Sequence, residues 1–156
     1  MSITSQTPSS AEVSVSHRPW TARFVVREIQ SMRLPPLIYL AGPYTHPDPV
    51  ENTHHMIRIA DALLDLDVVP VVPHLSMFWH LLCPRPYGDW LTYDLHLLLR
   101  CDAVLRVPGA SSGADGELRV ARRLGIPVLL AETRNLEDCV AAIDQWLEDC
   151  WETIAP

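Results

Sequence analysis

The chain has 156 residues, of which 48% are hydrophobic and 20% charged, so it is long enough to bury the core of one domain. Its formal net charge of −7 argues against a nucleic-acid polymer as partner, because no basic stripe is present to replace counterions. No apolar run approaches the roughly 20 residues that span a bilayer, and the N-terminus lacks a signal pattern, so we expect a cytoplasmic protein that does not enter a membrane.

Four cysteines occur, at positions 83, 101, 139 and 150, without a CxxC pair or the spacing of a metal finger. We therefore expect buried, reduced thiols and no bound metal. The sequence predicts no cofactor.

Residues 1–35 include a Ser/Thr-rich stretch with little periodicity. This composition predicts a disordered or partly helical N-terminal extension, with a short helix near Ala22–Ser31. Its arginines and hydroxyls would suit an organelle transit peptide, but Glu12 and Glu28 argue against that interpretation. The folded domain is predicted to cover residues 36–156.

Strands and helices alternate after the extension. Short apolar runs indicate buried parallel strands, and apolar residues at helical spacing indicate the helices between them. The predicted strands are Leu37–Ala41, Val68–Val72, Ala103–Val107 and Ile126–Leu130, and the predicted helices are Val50–Leu66, Trp90–Cys101, Ser112–Leu124 and Leu136–Trp151. The order β-α-β-α-β-α-β-α predicts an α/β fold, a Rossmann/flavodoxin-like doubly wound parallel sheet of four or five strands in the order 2-1-3-4.

The loops after the first two strands are candidates for a binding site, because ligands of open α/β sheets bind at the carboxyl ends of strands. The first loop begins with Gly42-Pro43, and His74 follows the second strand, where it could reach a pocket or serve the core. The segment Leu75–Asp89 carries aromatic residues between prolines, which favours a pocket wall over a regular element. Trp79 and its aromatic neighbours fit stacking on a base as well as they fit core packing.

Two acids lie inside apolar helical stripes. A desolvated carboxylate is costly unless the stripe opens onto a ligand cavity. On a helical wheel, Glu117 lies within about 60° of Val120, Ala121 and Leu124, and Asp94 within about 60° of Trp90, Leu91, Leu97, Leu98 and Cys101. Backbone amides could satisfy one such acid, but two placed alike weaken that explanation. We predict that both acids face one shared cavity.

The stretch Ser111-Ser112-Gly113 begins the helix that carries Glu117. Backbone N–H groups, two hydroxyls and the positive end of the helix dipole predict an anion site there. The other interpretation is that Ser112 caps the helix, with Asp115 completing a capping box. Both can hold, since a cap leaves other donors free.

These residues together resemble the nucleoside 2-deoxyribosyltransferase superfamily over about residues 37–130. The resemblance is nearest to the branch of nucleoside 5′-monophosphate N-glycosidases and their uncharacterised relatives. It is carried jointly by Ile38-Tyr39-Leu40-Ala41-Gly42-Pro43-Tyr44, by Tyr93-Asp94-Leu95 ahead of Cys101-Asp102, and by Ser111-x-Gly113-x-x-x-Glu117.

The resemblance implies a role for each matching residue. Glu117 matches the nucleophile that attacks C1′ of the sugar, Tyr39 the tyrosine that orients this nucleophile, and Asp94 the acid that helps the base to leave. Gly42 and Pro43 match the turn that lets the sugar approach the backbone. Such a pair of carboxylates cleaves a glycosidic bond through a covalent intermediate, with one acid ionised and the other protonated.

Position 111 separates two branches of the superfamily. The transferases carry an acid six residues before the nucleophile, where it holds a free 5′-hydroxyl, whereas the monophosphate hydrolases have a serine, as this chain does. A hydroxyl can donate to a phosphate that a carboxylate would repel. The resemblance therefore implies cleavage of a nucleoside 5′-monophosphate into base and sugar phosphate.

Further residues complete the predicted site. Arg85 or Arg106 could meet the phosphate. His46, His54 and His55 have no metal-ligand partner at a useful spacing, and we expect them at the surface. The predicted substrate-binding residues are Gly42, Pro43, His74, Trp79, Ser111, Ser112 and Gly113.

Three alternatives stay open. A deoxyribosyltransferase would move a deoxyribosyl group between bases, and a non-catalytic nucleotide-binding or sensing module would keep the pocket without the chemistry. A phosphoribohydrolase would carry PGGxGTxxE, but Pro108-Gly109 lies one residue too far from Glu117. The resemblance also implies a homodimer or higher homo-oligomer acting on a small-molecule nucleotide or nucleoside.

Overall fold

The structure is a computed structural model that describes residues 34–152. The predicted N-terminal extension, with its helix near residues 22–31, lies outside the described residues except for its last two positions. All elements given below belong to the unit Pro35–Pro156. Within the described range, no helix has the length and apolarity needed to cross a bilayer.

Strands and helices alternate throughout the described part of the chain. There are also two short 3₁₀ turns among the described residues: Leu64–Leu66 extends the first helix, and Pro73–Leu75 follows the second strand. The strands are β1 (Leu37–Ala41), β2 (Val69–Val71), β3 (Ala103–Arg106) and β4 (Val128–Leu130), and the helices are α1 (Pro49–Leu63), α2 (Ser76–Leu82), α3 (Tyr87–Leu98), α4 (Ser112–Arg123) and α5 (Leu136–Glu152).

The four strands form one parallel sheet in the order β2-β1-β3-β4. This confirms the predicted order 2-1-3-4, with four strands. In the register of the sheet, Tyr39 of β1 pairs with Val71 of β2 and with Val104 of β3. Strands β1 and β3 are parallel neighbours in the middle of this sheet. The loops that follow them therefore leave the same edge of the sheet side by side.

Strand β1 divides its side chains between two cores. Ile38 and Leu40 pack with residues of α1 and α5 on one face of the sheet. Tyr39 and Ala41 pack with residues of α3 and α4 on the other face. Since successive strand residues point to opposite faces, a continuously apolar run is what a sheet covered on both sides requires. The arrangement is the doubly wound α/β fold that the sequence predicts.

The prediction of an irregular pocket wall over Leu75–Asp89 is wrong in one respect, because this segment contains the regular helix α2 and the start of α3. Its prolines do not interrupt these helices. Pro84 and Pro86 lie between them, and Pro86 is the N-cap of α3, a place where a missing N–H costs no helical hydrogen bond. Helix α3 consequently begins before Trp90, the predicted first residue.

The expectation of buried thiols holds for two of the four cysteines. Cys101 and Cys139 are buried, and burial raises the pKa of each thiol to about 11. Cys150 is partly exposed and Cys83 is exposed. Cys83 follows the C-terminus of α2, where the neighbouring side chains are also exposed, so no core is available there to cover it.

Candidate active site

A cavity of about 480 Å³ opens at the carboxyl ends of the strands. Its walls come from the loop after β1, from the segment that includes α2 and α3, and from the start of α4. Of the predicted site residues, those that line it are Gly42, His74, Asp94, Ser111, Ser112, Gly113 and Glu117. The two predicted acids therefore open onto one hollow, at the edge of the sheet where ligands of this fold class bind.

Tyr39 and Glu117 form the central contact of the site. The Tyr39 hydroxyl donates to Oε1 of Glu117 over 2.8 Å, although 78 positions separate the two residues. Tyr39 is fully buried and Glu117 is 9% exposed. The contact exists because β1 turns Tyr39 towards the face of the sheet that α4 covers. A buried charge-assisted bond of this kind fixes the orientation of the carboxylate.

Glu117 lies in the buried stripe of α4, as predicted, but its neighbours differ in part from the predicted ones. Ala114, Leu118 and Ala121 are buried beside it, whereas Leu124 is 57% exposed. The reason is that α4 ends at Arg123, and Gly125 with a φ of 74° then turns the chain.

Asp94 projects into the same cavity from α3. Its Oδ1 is buried and has no hydrogen-bond partner among the described residues. An unsatisfied buried carboxyl oxygen costs free energy, and a catalytic role is one of the reasons for which a native protein retains such an atom. Asp94 is thus available to a bound molecule, while Glu117 is held by a partner of its own.

The two carboxyl groups differ in how their pKa values are set. Burial, and to a smaller extent the charge of Glu117, raises the pKa of Asp94 to about 7. Burial also raises the pKa of Glu117, but the hydrogen bond from Tyr39 and the charge of Arg106 oppose this rise. The hydrogen bond and the cation beside Glu117 favour its ionised form, whereas burial and the charge of Glu117 both favour the protonated form of Asp94. The surroundings thus favour a carboxylate at Glu117 and a carboxylic acid at Asp94.

The turn before α4 carries exposed donors. Ser111 is the N-cap, and its Oγ accepts from the N–H of Ala114 over 3.2 Å. The interpretation that Ser112 caps the helix is wrong, because Ser111 has the extended backbone that an N-cap requires. The N–H groups of Ser112 and Gly113 lie in the first turn and have no intrahelical acceptor. The hydroxyl proton of Ser111 also remains free to donate.

Tyr87 covers this turn from the opposite wall. A Cβ added to Gly113 would lie 3.2 Å from the Tyr87 hydroxyl oxygen and 3.9 Å from Oγ of Ser111. The tyrosine hydroxyl therefore stands directly over the first turn of α4. Glycine at position 113 leaves the space between them free.

His74 is buried at the base of the cavity, with 5% of its surface exposed. Its Nε2 lies 2.9 Å from the carbonyl oxygen of Pro43, and since that oxygen only accepts, Nε2 carries the proton. Nδ1 is then an acceptor, and it has no partner among the described residues. Burial lowers the pKa of His74. Pro43 does not line the cavity but holds this ring in place.

The two arginines predicted near a phosphate differ in their surroundings. Arg106 is engaged by protein groups, donating to the carbonyl of Gly109 over 2.7 Å and to Asp115 over 3.1 Å. Arg85 lines the cavity, and its 3.7 Å ion pair with Asp89 is exposed. Exposed pairs of this length contribute little, so Arg85 is the arginine that can turn to an anion.

Trp79 does not line the cavity. Its ring packs edge to face against Trp90 and Tyr93, and 47% of its surface is exposed. Trp90 lines the cavity instead. The aromatic composition of this segment indicated a pocket wall, but only the helical phase of α2 and α3 decides which ring faces inward.

Asn52 is a residue that sequence reasoning missed. It is 2% exposed, and its amide nitrogen donates to the carbonyls of Tyr44 and His46, each over 2.8 Å. Its Oδ1 accepts from Arg134 over 3.0 Å. One buried amide thus anchors the loop after β1, which lines the cavity. The signal was present, because a polar residue stands in the apolar stripe of α1, as the two acids do in theirs.

The histidines expected at the surface are exposed at positions 46 and 54. His46 also lines the cavity. His55 is only partly exposed, and its Nε2 is buried without a partner among the described residues. Helix α1 places His55 near Arg134, with which it interacts.

No protein-family model matches the chain, and no curated protein matches it. A solved structure of a 2-desoxiribosyltransferase from Leishmania mexicana is 25% identical, with a TM-score of 0.48, over 62% of this chain and 63% of that one. A 2-deoxyribosyltransferase from the psychrotolerant bacterium Bacillus psychrosaccharolyticus is 24% identical, with a TM-score of 0.44, over 60% of this chain and 70% of that one. The chain thus spans less than two thirds of the first of these proteins, and both of these solved structures bear the name of 2-deoxyribosyltransferases.

Proposed function

We propose that the protein cleaves the N-glycosidic bond of a nucleoside 5′-monophosphate and releases the base and the sugar phosphate. The observation that carries this proposal is the 2.8 Å hydrogen bond from Tyr39 to Glu117 beside a cavity that Asp94 also enters. A pair of carboxyl groups with separated proton affinities is what glycosidic cleavage requires.

In the proposed reaction, an oxygen of Glu117 attacks C1′ while the bond from C1′ to the base nitrogen breaks. Asp94 gives its proton to the leaving base, so that the base departs uncharged. The result is a glycosyl ester on Glu117 and an ionised Asp94. Asp94 then accepts a proton from water as the water attacks C1′, which restores both carboxyl groups and gives net retention.

The preference for a 5′-phosphate rests on the donors around the start of α4. The hydroxyls of Ser111 and Tyr87 and the N–H groups of Ser112 and Gly113 converge there, and no carboxylate stands at position 111. A helix N-terminus favours negative charge. Arg85, from the facing wall, is the cation that we assign to the same phosphate.

Transfer of a deoxyribosyl group to a second base is the other candidate function. It shares the glycosyl ester on Glu117, and the two reactions differ only in whether water or a base accepts the sugar. The cavity of about 480 Å³ is large enough to admit an incoming base after the first has left. An added second base, assayed for a new nucleotide or nucleoside, separates the two reactions.

The direct test is to incubate the purified protein with each nucleoside 5′-monophosphate, and with each free nucleoside, and to measure released base by chromatography. We expect release from monophosphates and none from the Glu117→Gln variant. The matched control is Glu132→Gln, at an exposed position outside the cavity, which should keep full activity. Binding of nucleotides without any release would refute the enzymatic proposal and favour a sensing module.

A further inference from the structure

His80 is a cavity residue that the proposed chemistry does not use. Its Nδ1 accepts from the indole Nε1–H of Trp90 over 2.8 Å. The backbone N–H of Arg85 also points to Nδ1, over 3.4 Å. The indole ring packs edge to face against the imidazole, with the ring centroids 5.8 Å apart.

Both groups that hold Nδ1 can only donate, so this nitrogen cannot carry a proton while they are in place. The ring proton of His80 is therefore on Nε2. No group of the described residues accepts from Nε2. The side chain presents one fixed hydrogen-bond donor, and because Nδ1 is occupied it offers no acceptor in exchange.

The position of His80 in the cavity indicates which part of a substrate it meets. If the sugar lies between Asp94 and Glu117 and the phosphate lies at the start of α4, with Arg85 and Tyr87 beside it, the remaining part of the wall formed by α2 and α3 is left for the base. That wall contributes Met77, Trp90 and Leu91 to the cavity. Apolar and aromatic side chains of this kind suit the flat faces of a base.

We propose that His80 selects the base, its Nε2–H donating to an exocyclic carbonyl oxygen. The favoured substrates are nucleotides with a 6-oxo purine or a 4-oxo pyrimidine. Their 6-amino and 4-amino counterparts would place a donor against a donor and leave both without an acceptor. This inference rests on the proposed function for the placement of sugar and phosphate.

The experiment measures binding, so that it does not depend on turnover. The Glu117→Gln variant is titrated with inosine and adenosine 5′-monophosphates, and with uridine and cytidine 5′-monophosphates, and each dissociation constant is determined. We expect the oxo nucleotide of each pair to bind about tenfold tighter or more. Adding His80→Phe should bring each ratio within about twofold of unity.

Trp90→Phe provides the second variant, because it keeps an aromatic ring in the wall but removes the shorter of the two contacts that hold Nδ1. Only the 3.4 Å contact from the Arg85 N–H then restrains the imidazole, and the ratio should narrow although His80 is still present. A purely structural role of Trp90 would weaken both members of a pair alike and leave the ratio unchanged. The matched control is His96→Gln, at an exposed histidine outside the cavity whose imidazole Nδ1 lies 2.7 Å from the carbonyl oxygen of Thr92 of its own helix, and its ratio should equal that of the parent.

Equal affinities within the pairs, a preference for the amino nucleotides, or no nucleotide binding at all would overturn the role of His80. A preference that survives His80→Phe would overturn it as well. If the preference is present and depends on His80, while the parent protein releases no base from any nucleotide, the proposed glycosidase activity fails and the assignment of His80 stands.

Discussion

Removing one hydroxyl tests the central contact of the site. Tyr39→Phe leaves the buried ring in place and deletes only the O–H that donates to Glu117 over 2.8 Å. A hydrogen bond to a charged group contributes about 1.5–3 kcal/mol. If the bond stabilises the reacting carboxylate, its loss should lower kcat/KM by about 10- to 100-fold, because each 1.4 kcal/mol corresponds to a factor of ten.

The same substitution should also shift the pH profile of kcat/KM, and both the direction and the size of this shift can be predicted. The bond from Tyr39 lowers the pKa of Glu117 against the effect of burial, so its removal should raise that pKa. The ionised form of Glu117 is the nucleophile, and kcat/KM falls as the pH drops through its pKa. The acid limb of the profile should therefore move to higher pH, by about one to two units for the energy given above.

The assay is base release measured across the pH range for the parent and for Tyr39→Phe. Tyr93→Phe is the matched control, since Tyr93 is 40% exposed on α3 and does not line the cavity, and its profile should coincide with that of the parent. An acid limb that does not move in Tyr39→Phe, together with a rate within twofold of the parent, would show that the hydroxyl does not set the state of Glu117.

Three further predictions concern Asp94, Asn52 and Gly109. Burial raises the pKa of Asp94 from 3.8 to about 7, so the folded state binds this proton more tightly and loses stability as the pH rises through that interval. In unfolding titrations, Asp94→Asn should remove about 2 kcal/mol of this loss of stability, after allowance for partial exposure. The same substitution should remove the basic limb of the kcat/KM profile. Asn52→Ala deletes three hydrogen bonds and should cost about 3 kcal/mol in chemical denaturation, with a raised KM because the loop after β1 loses its anchor. Gly109 has a φ of 133°, and a Cβ there would lie 2.5 Å from Cγ of Pro43, so Gly109→Ala should destabilise the protein by about 1–3 kcal/mol. Gly88→Ala is the control, because Gly88 lies in a helix and an added Cβ there meets no atom within 4 Å; it should be neutral or stabilising. Equal melting temperatures for the two variants would contradict the steric argument.

The sheet order could be predicted because each strand is recognisable from the apolar residues of its own short segment. Leu37–Ala41 is apolar throughout and ends at glycine and proline, and the structure has the strand at the predicted residues. Helix ends were less certain, since the predicted start of α3 at Trp90 lies three residues after the actual start at Tyr87. A proline before a helix and a proline inside one look alike in the sequence, and only the packed chain distinguishes them.

The candidate site, too, could be predicted from the sequence only in part. An acid in an apolar stripe is visible on a helical wheel, and Asp94 and Glu117 do open onto one cavity. Their catalytic roles stay predictions. Trp79, in contrast, is placed away from the cavity, whereas Tyr87 and His80 of the same aromatic segment line it. A segment rich in aromatic residues indicates a wall, but not which rings face inward.

The sequence by itself determined the alternation of strands and helices and the parallel sheet. It also identified two acids whose position in apolar helical stripes indicates a cavity. These features depend on spacing of a few residues, which hydrophobic periodicity records. Only the tertiary structure decided that the Tyr39 hydroxyl reaches a carboxylate 78 positions away, and that Trp90 fixes the proton of His80. Such contacts depend on how distant segments cross and turn, and no local pattern specifies the geometry of a single hydrogen bond between them.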